Sequence, residues 1–140
     1  MKYLHAMIRV HDLDATSHFL TAGLGLVQTR RMDSEAGKFT LVYFAAPANP
    51  EAEVELTHNW GSDEDYGGAR NIGHLAIEVD DIYALCAHLQ GMGVTINRPP
   101  RDGRMAFVRT PDRISIELLQ KGAALPAQEP WMSMANSGEW

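Results

Sequence analysis

The sequence predicts an α+β fold of two βαβββ modules forming curved mixed sheets, because one pattern is written twice. Each copy opens on a histidine-led strand, His5-Ala6-Met7-Ile8-Arg9-Val10 and His74-Leu75-Ala76-Ile77-Glu78-Val79. Each then passes through an aspartate and an apolar helix to a glycine pair, Gly23-Leu24-Gly25-Leu26 and Gly91-Met92-Gly93-Val94. Each closes on a strand with a central glutamate, Val54-Glu55-Leu56 and Ile116-Glu117-Leu118. At an offset of 69 residues, His5, Ile8, Val10, Asp12 and Ala15 fall on His74, Ile77, Val79, Asp81 and Ala84. A repeat this short cannot bury both faces of its own sheet, so the copies are expected to combine into one curved sheet with helices outside. The expected division is 1–58 for the first module, 59–72 for a connector, 73–120 for the second module and 121–140 for a tail.

In the first copy, residues 3–10 read as a strand and Asp12 as the N-cap of a helix from Leu13 to about Ala22. The glycines at 23 and 25 stop that helix. Strands are expected at Val27 to about Met32, Phe39–Ala45 and Glu53–Thr57, with turns at Asp33–Lys38 and Pro47–Glu51. Asn59 to Ile72 is polar and glycine-rich, as a connector should be. The second copy gives a strand His74–Val79, a cap at Asp81, a helix Ile82–Gln90, and strands near Val94–Asn97, Met105–Arg109 and Ile114–Gln120. The Pro/Ala composition of 121–140 reads as disorder, although Trp131 and Trp140 suggest partial docking.

The 140 residues carry a net charge of −6, which argues against a nucleic-acid surface or a polybasic membrane patch. No apolar run approaches the ~18 residues a membrane span needs. The chain enters strand pattern at Tyr3-Leu4 without the charged and apolar regions of a signal peptide. Cys86 is the single cysteine, so no intrachain disulfide can form, and a reducing cytoplasm is the expected compartment.

Chemistry enters with the four repeated polar residues. Alternation puts Ser115, Glu117 and Leu119 on one strand face and Ile114, Ile116 and Leu118 on the other. A carboxylate among isoleucines and leucines must be paired or hold a metal if its strand is buried. Two imidazoles, His5 and His74, with two carboxylates, Glu55 and Glu117, make a mixed N/O ligand set without thiolates. Such a set suits Ni²⁺, Co²⁺, Mn²⁺, Fe²⁺ or Zn²⁺ in a site with room for water or substrate, not a structural zinc. Arg9 lies four residues after His5 and Asn59 four after Glu55. Each is thus on its ligand's own face and ~13 Å along the strand, where the two could grip a substrate carboxylate.

The stretches Leu4-His5-Ala6-Met7-Ile8-Arg9-Val10, Glu55-Leu56-Thr57-His58-Asn59-Trp60-Gly61, Gly73-His74-Leu75-Ala76 and Ile116-Glu117-Leu118 resemble glyoxalase I (lactoylglutathione lyase) of the vicinal-oxygen-chelate superfamily. The resemblance covers residues 3–120 and is closest to the short nickel/cobalt-type branch. It implies a homodimer with its active sites at the interface, a divalent metal with Ni²⁺ or Co²⁺ favoured and Zn²⁺ the alternative, and glutathione as co-substrate. It implies isomerisation of the glutathione–methylglyoxal hemithioacetal to S-lactoylglutathione through a metal-bound enediolate. His5, Glu55, His74 and Glu117 would be the metal ligands, with Glu117 taking the proton from C1 and either glutamate returning one at C2. Arg9 and Asn59 would hold the γ-glutamyl end. Arg70, Arg98 and Met105, with Arg104 a weaker candidate, match positions near the glycyl end. The sequence departs from the family at Pro111-Asp112-Arg113, where the usual third residue is glycine, and at Leu20 and His58, where aromatics are common.

Four rivals share the fold, among them an extradiol dioxygenase, against which the extra Glu55 counts. An epimerase or thiol transferase could use the same site type, and Arg9 with Asn59 is the feature that discriminates against an epimerase. A metal-free module that sequesters a small ligand would have no reason to retain four ligands.

Overall fold

The computed structural model describes residues 4–66 and 73–140, and the chain divides into two compact units, Met1–Gly68 and Ala69–Trp140. In the first unit β1 (His5–Arg9) leads to α1 (Leu13–His18), which continues as a π-helical turn over Phe19–Gly23. Then come β2 (Val27–Ser34), β3 (Phe39–Ala46) and β4 (Asn49–Asn59). The second unit holds β5 (Leu75–Val79), α2 (Ile82–Gly91), β6 (Met105–Arg109) and β7 (Ser115–Gln120). Among the described residues the strands form two hydrogen-bonded sheets, ordered β1-β4-β3-β2 and β5-β7-β6, where one combined sheet was expected.

Both units are wired alike. The first strand runs parallel to the last (β1 to β4, β5 to β7), while the penultimate strand (β3, β6) lies antiparallel to the last. A parallel neighbour needs a crossover, which the helix supplies. Both helices start where the sequence placed them. Asp12 accepts a hydrogen bond from the Ala15 amide at 2.8 Å, and Asp81 accepts from the amides of Tyr83 and Ala84 at 3.0 Å. A further tie anchors α2 to β7: the buried Gln120 amide accepts from the Ile82 amide at 2.9 Å and donates to the Asp80 carbonyl at 2.8 Å.

One face of each sheet is apolar. Ile8, Leu56 and Val42 form a fully buried cross-strand row in the first unit, and Ile116 and Val108 a matching pair in the second. Cys86 sits on α2 with no exposure, and burial pushes its thiol up to about 12, so it is an inert core group.

The second strand expected in the second module, Val94–Asn97, does not form. The segment Val94–Asn97 makes no ladder, and only Arg98 bridges to Phe107 of β6. Its hydrogen bonds go elsewhere. The Val94 amide donates to Leu89, and Asn97 exchanges bonds with Ser137, its carbonyl accepting from the Ser137 amide at 2.9 Å and its side chain donating to the Ser137 carbonyl at 2.8 Å. Residues 121–140 thus take up part of this segment's hydrogen bonding, through Ser137. In the first unit β4 starts at Asn49, so the turn before it is shorter than Pro47–Glu51.

Arg113 adopts φ +66°, the left-handed conformation that glycine takes freely. The turn keeps its form, with the Arg113 amide donating to the Thr110 carbonyl at 2.9 Å and the Ile114 amide to the Thr110 hydroxyl at 3.1 Å. Arg113→Gly should relieve this strain and stabilise the chain by about 1 kcal/mol, seen as a rise of about 3 °C in Tm. A lowered Tm would show that the arginine side chain contributes more than its backbone costs.

Candidate metal centre

Each unit brings one imidazole to one carboxylate. His5 Nε2 lies 3.0 Å from Glu55 Oε2, and His74 Nε2 lies 3.0 Å from Glu117 Oε2. Parallel pairing places them so: Met7 is the Cα partner of Glu55, and His5 stands two residues earlier on the same face. In the second unit Ala76 is the partner of Glu117, and His74 again stands two residues earlier. The carboxylates are the more sheltered members, with side chains 11% and 15% exposed against 28% and 42% for the imidazoles. Each pair thus faces outward from a buried strand floor.

The cross-strand partners of the glutamates complete the likeness. Tyr43 is opposite Glu55 and Phe107 is opposite Glu117. Each ring meets its histidine edge-on at 5.5 Å, with interplanar angles of 80° and 79°. These aromatics were not among the residues singled out from the sequence. The signal for them was the register, since each is the aromatic nearest the middle of the penultimate strand on the glutamate's face.

The pairs differ in what holds the carboxylate. Glu55 Oε1 accepts a hydrogen bond from the Thr57 hydroxyl at 3.0 Å. Burial, and a hydrogen bond with Glu55, raise the Tyr43 phenol above its ordinary value. Arg30 lies over the Tyr43 ring at 3.3 Å and pairs with Glu53 at 2.8 Å, which also accepts from Thr29 at 2.5 Å. Glu117 has His74 and the Phe107 ring beside it, with Ser115 in place of the carboxylate at Glu53.

Two donors each about 2.1 Å from one ion and at right angles to it lie about 3.0 Å apart, so both pairs have the spacing of adjacent ligands. Among the described residues no third His, Cys, Asp or Glu joins either pair in a group that could hold a metal.

Of the other candidates, Arg9 ends β1 as the Cα partner of Thr57, and Asn59 ends β4 two residues later. Alternation puts both on the face of Glu55. Arg98 is engaged within its own loop, pairing with Asp102 at 2.9 Å and donating to the Met105 carbonyl. Burial pulls the Asp102 carboxyl up, but Arg98 and the amides of Arg104 and Met105 together hold it below its usual range. Arg104 donates to the carbonyls of Gln120, at 2.9 Å, and Gly122. Met105 is on β6, two residues before Phe107 and on the same face. Arg70 lies outside the described residues.

A cavity of about 520 Å³ in the first unit is lined by His11, Asp12, Leu13, Asp14, Arg31, Thr40, His58 and Trp60. Thr40 and His58 are cross-strand partners three residues from Tyr43 and Glu55, and so belong to the opposite sheet face. None of His5, Glu55, His74 and Glu117 lines this cavity.

The fold so wired, with its two imidazole–carboxylate pairs, has known relatives. Residues 2–118 match the model of the Glyoxalase/Bleomycin resistance protein/Dioxygenase superfamily, and the chain belongs to that family. Among curated relatives it is similar to a probable lactoylglutathione lyase of Synechocystis, 40% identical over 86% of this chain and 95% of the relative. It is also similar to the lactoylglutathione lyase of Haemophilus influenzae, 38% identical over 86% of this chain and 93% of the relative. Among solved structures, the trypanothione-dependent glyoxalase I of Leishmania major superposes with a TM-score of 0.80 at 38% identity, covering 86% of this chain and 87% of that one.

Proposed function

We infer that the chain is a lactoylglutathione lyase, converting the hemithioacetal of glutathione and methylglyoxal to S-lactoylglutathione. The observation that carries this reading is the twice-built imidazole–carboxylate pair at 3.0 Å, in a chain 40% identical to a relative of that name. A bound divalent cation would polarise the two vicinal oxygens of the substrate and make the neighbouring C–H acidic, worth several kcal/mol. His5, Glu55, His74 and Glu117 are the side chains that would hold it. Nickel or cobalt is our assignment, from the all-N/O donors and the short connector and Gly103–Ala106 loop, with zinc as the alternative.

Two half-sets make one full set if two copies of the chain meet. We assign a homodimer in which His5 and Glu55 face His74 and Glu117 of the partner subunit. The single buried cysteine suits the reducing cytoplasm that we assign as its compartment. No helix among the described residues is long and apolar enough to cross a membrane.

The chain's own groups then divide the work. Glu117 takes the proton from C1, and Glu117 or Glu55 delivers one at C2, so no outside oxidant or reductant is needed. The Thr57 hydroxyl occupies one oxygen of Glu55, which suits Glu55 to a fixed ligand role and leaves Glu117 as the better proton acceptor. Arg9 and Asn59 anchor the γ-glutamyl end of the thiol, on the face that carries Glu55. For Arg98 to receive the glycyl carboxylate it would have to exchange or share its bond to Asp102.

Thioester absorbance with methylglyoxal and glutathione tests the reaction, and Arg9→Ala tests the thiol anchor that separates it from epimerisation. Loss of a charged hydrogen-bond partner should raise KM about 10- to 100-fold with bound metal unchanged. Thioester formation by the wild type with an unchanged KM in the variant would leave Arg9 without this role.

A further inference from the structure

Residues 121–140 are built into the second unit at successive points. Gly103 has φ +65°, and a Cβ there would meet the Leu125 carbonyl oxygen at 2.0 Å, so only glycine admits this approach. The Leu125 amide donates to the Gly103 carbonyl at 3.0 Å, and the Tyr83 hydroxyl donates to the Pro126 carbonyl at 3.0 Å. Trp131 is buried, and Arg101 donates to the Met134 carbonyl at 2.9 Å. The two-way bond between Asn97 and Ser137 fixes the last stretch. This strap delivers Trp140 to Phe107, ring centroids 6.3 Å apart and planes inclined by 33°.

Phe107 is the residue directly across the strand pair from Glu117, and its ring edge meets His74. Trp140 is thus one ring removed from the group that takes the C1 proton in the proposed reaction. Trp140 stays 41% exposed. An indole at the end of a strap bonded as far as Ser137, set against Phe107 yet left half open, is a poor core residue and a good apolar wall. The family match ends at residue 118, so Trp140 belongs to a segment beyond the matched span, whereas Phe107 lies within it.

We propose that Trp140, with Phe107, forms the wall met by the aldehyde-derived substituent of the substrate, and so selects α-oxoaldehydes with an aryl or bulky apolar group. This rests on the lactoylglutathione lyase reading. A methyl group covers little of such a wall, whereas a phenyl ring can pack against the indole edge or face.

The test compares the hemithioacetals of phenylglyoxal and methylglyoxal with glutathione in the full metal-loaded chain, for the wild type, Trp140→Ala and Trp140→Phe. Trp140→Ala should lower kcat/KM for the phenyl substrate about tenfold more than for the methyl substrate. Trp140→Phe should recover most of the loss. Tm is measured alongside, and little change is expected for a side chain this exposed. Equal losses on both substrates, or no loss on either, would overturn the assignment and leave a packing role only. A wild type inactive on both aldehydes would bring down the underlying reading and this proposal with it.

Discussion

Glu117→Gln should reduce thioester formation by about 10²- to 10⁴-fold, the usual contribution of a positioned proton acceptor, and by more if the substitution also weakens metal binding. Glutamine keeps the volume and the reach toward His74 but cannot take a proton from carbon. Glu117 is mostly sheltered and flanked on its strand by fully buried Ile116 and Leu118. The isosteric change leaves those neighbours in place, so Tm should move by no more than the few degrees that about 1 kcal/mol produces. Glu55→Gln is the informative contrast. Glu55 already accepts a bond from Thr57 and contacts Tyr43, so its replacement should act more through metal retention than through proton transfer. Near-full turnover by Glu117→Gln, with metal bound, would remove Glu117 as the base.

Removal of bound metal by a chelator should take turnover to the uncatalysed background. Without a cation the C1 proton is next to an unpolarised carbonyl, and no carboxylate at neutral pH removes such a proton quickly. Adding back Ni²⁺ or Co²⁺ should restore thioester formation fully, and Zn²⁺ less well. Full restoration by Zn²⁺ with none by Ni²⁺ would reverse the metal preference. Activity that survives complete metal removal would contradict Lewis-acid assistance altogether.

Much of this was legible in the sequence because it is written in local rules. Asp12 and Asp81 cap helices because an aspartate before an apolar run satisfies free amide groups whatever lies around it. His5 with Glu55 and His74 with Glu117 meet because period-two alternation fixes which strand face each occupies. The errors arise where long-range packing decides. Val94–Asn97 has β-branched residues and reads as a strand, but its hydrogen bonds go to Leu89 and Ser137. The composition of 121–140 suggests disorder, yet Gly103, Arg101 and Asn97 each hold it by contacts 20 to 40 residues away in sequence, which no local pattern encodes. Tyr43 and Phe107 were overlooked because an aromatic in a strand is ordinarily a core residue. Only the pairing register reveals them as the side chains opposite the two glutamates.

Bound divalent metal per chain, measured after gel filtration for the wild type and for His5→Ala and His74→Ala, is the most direct test of a shared centre. One ion per chain in the wild type, lost in both variants, is the predicted result. An ion that survives the loss of either imidazole undiminished would mean that the two pairs do not share it.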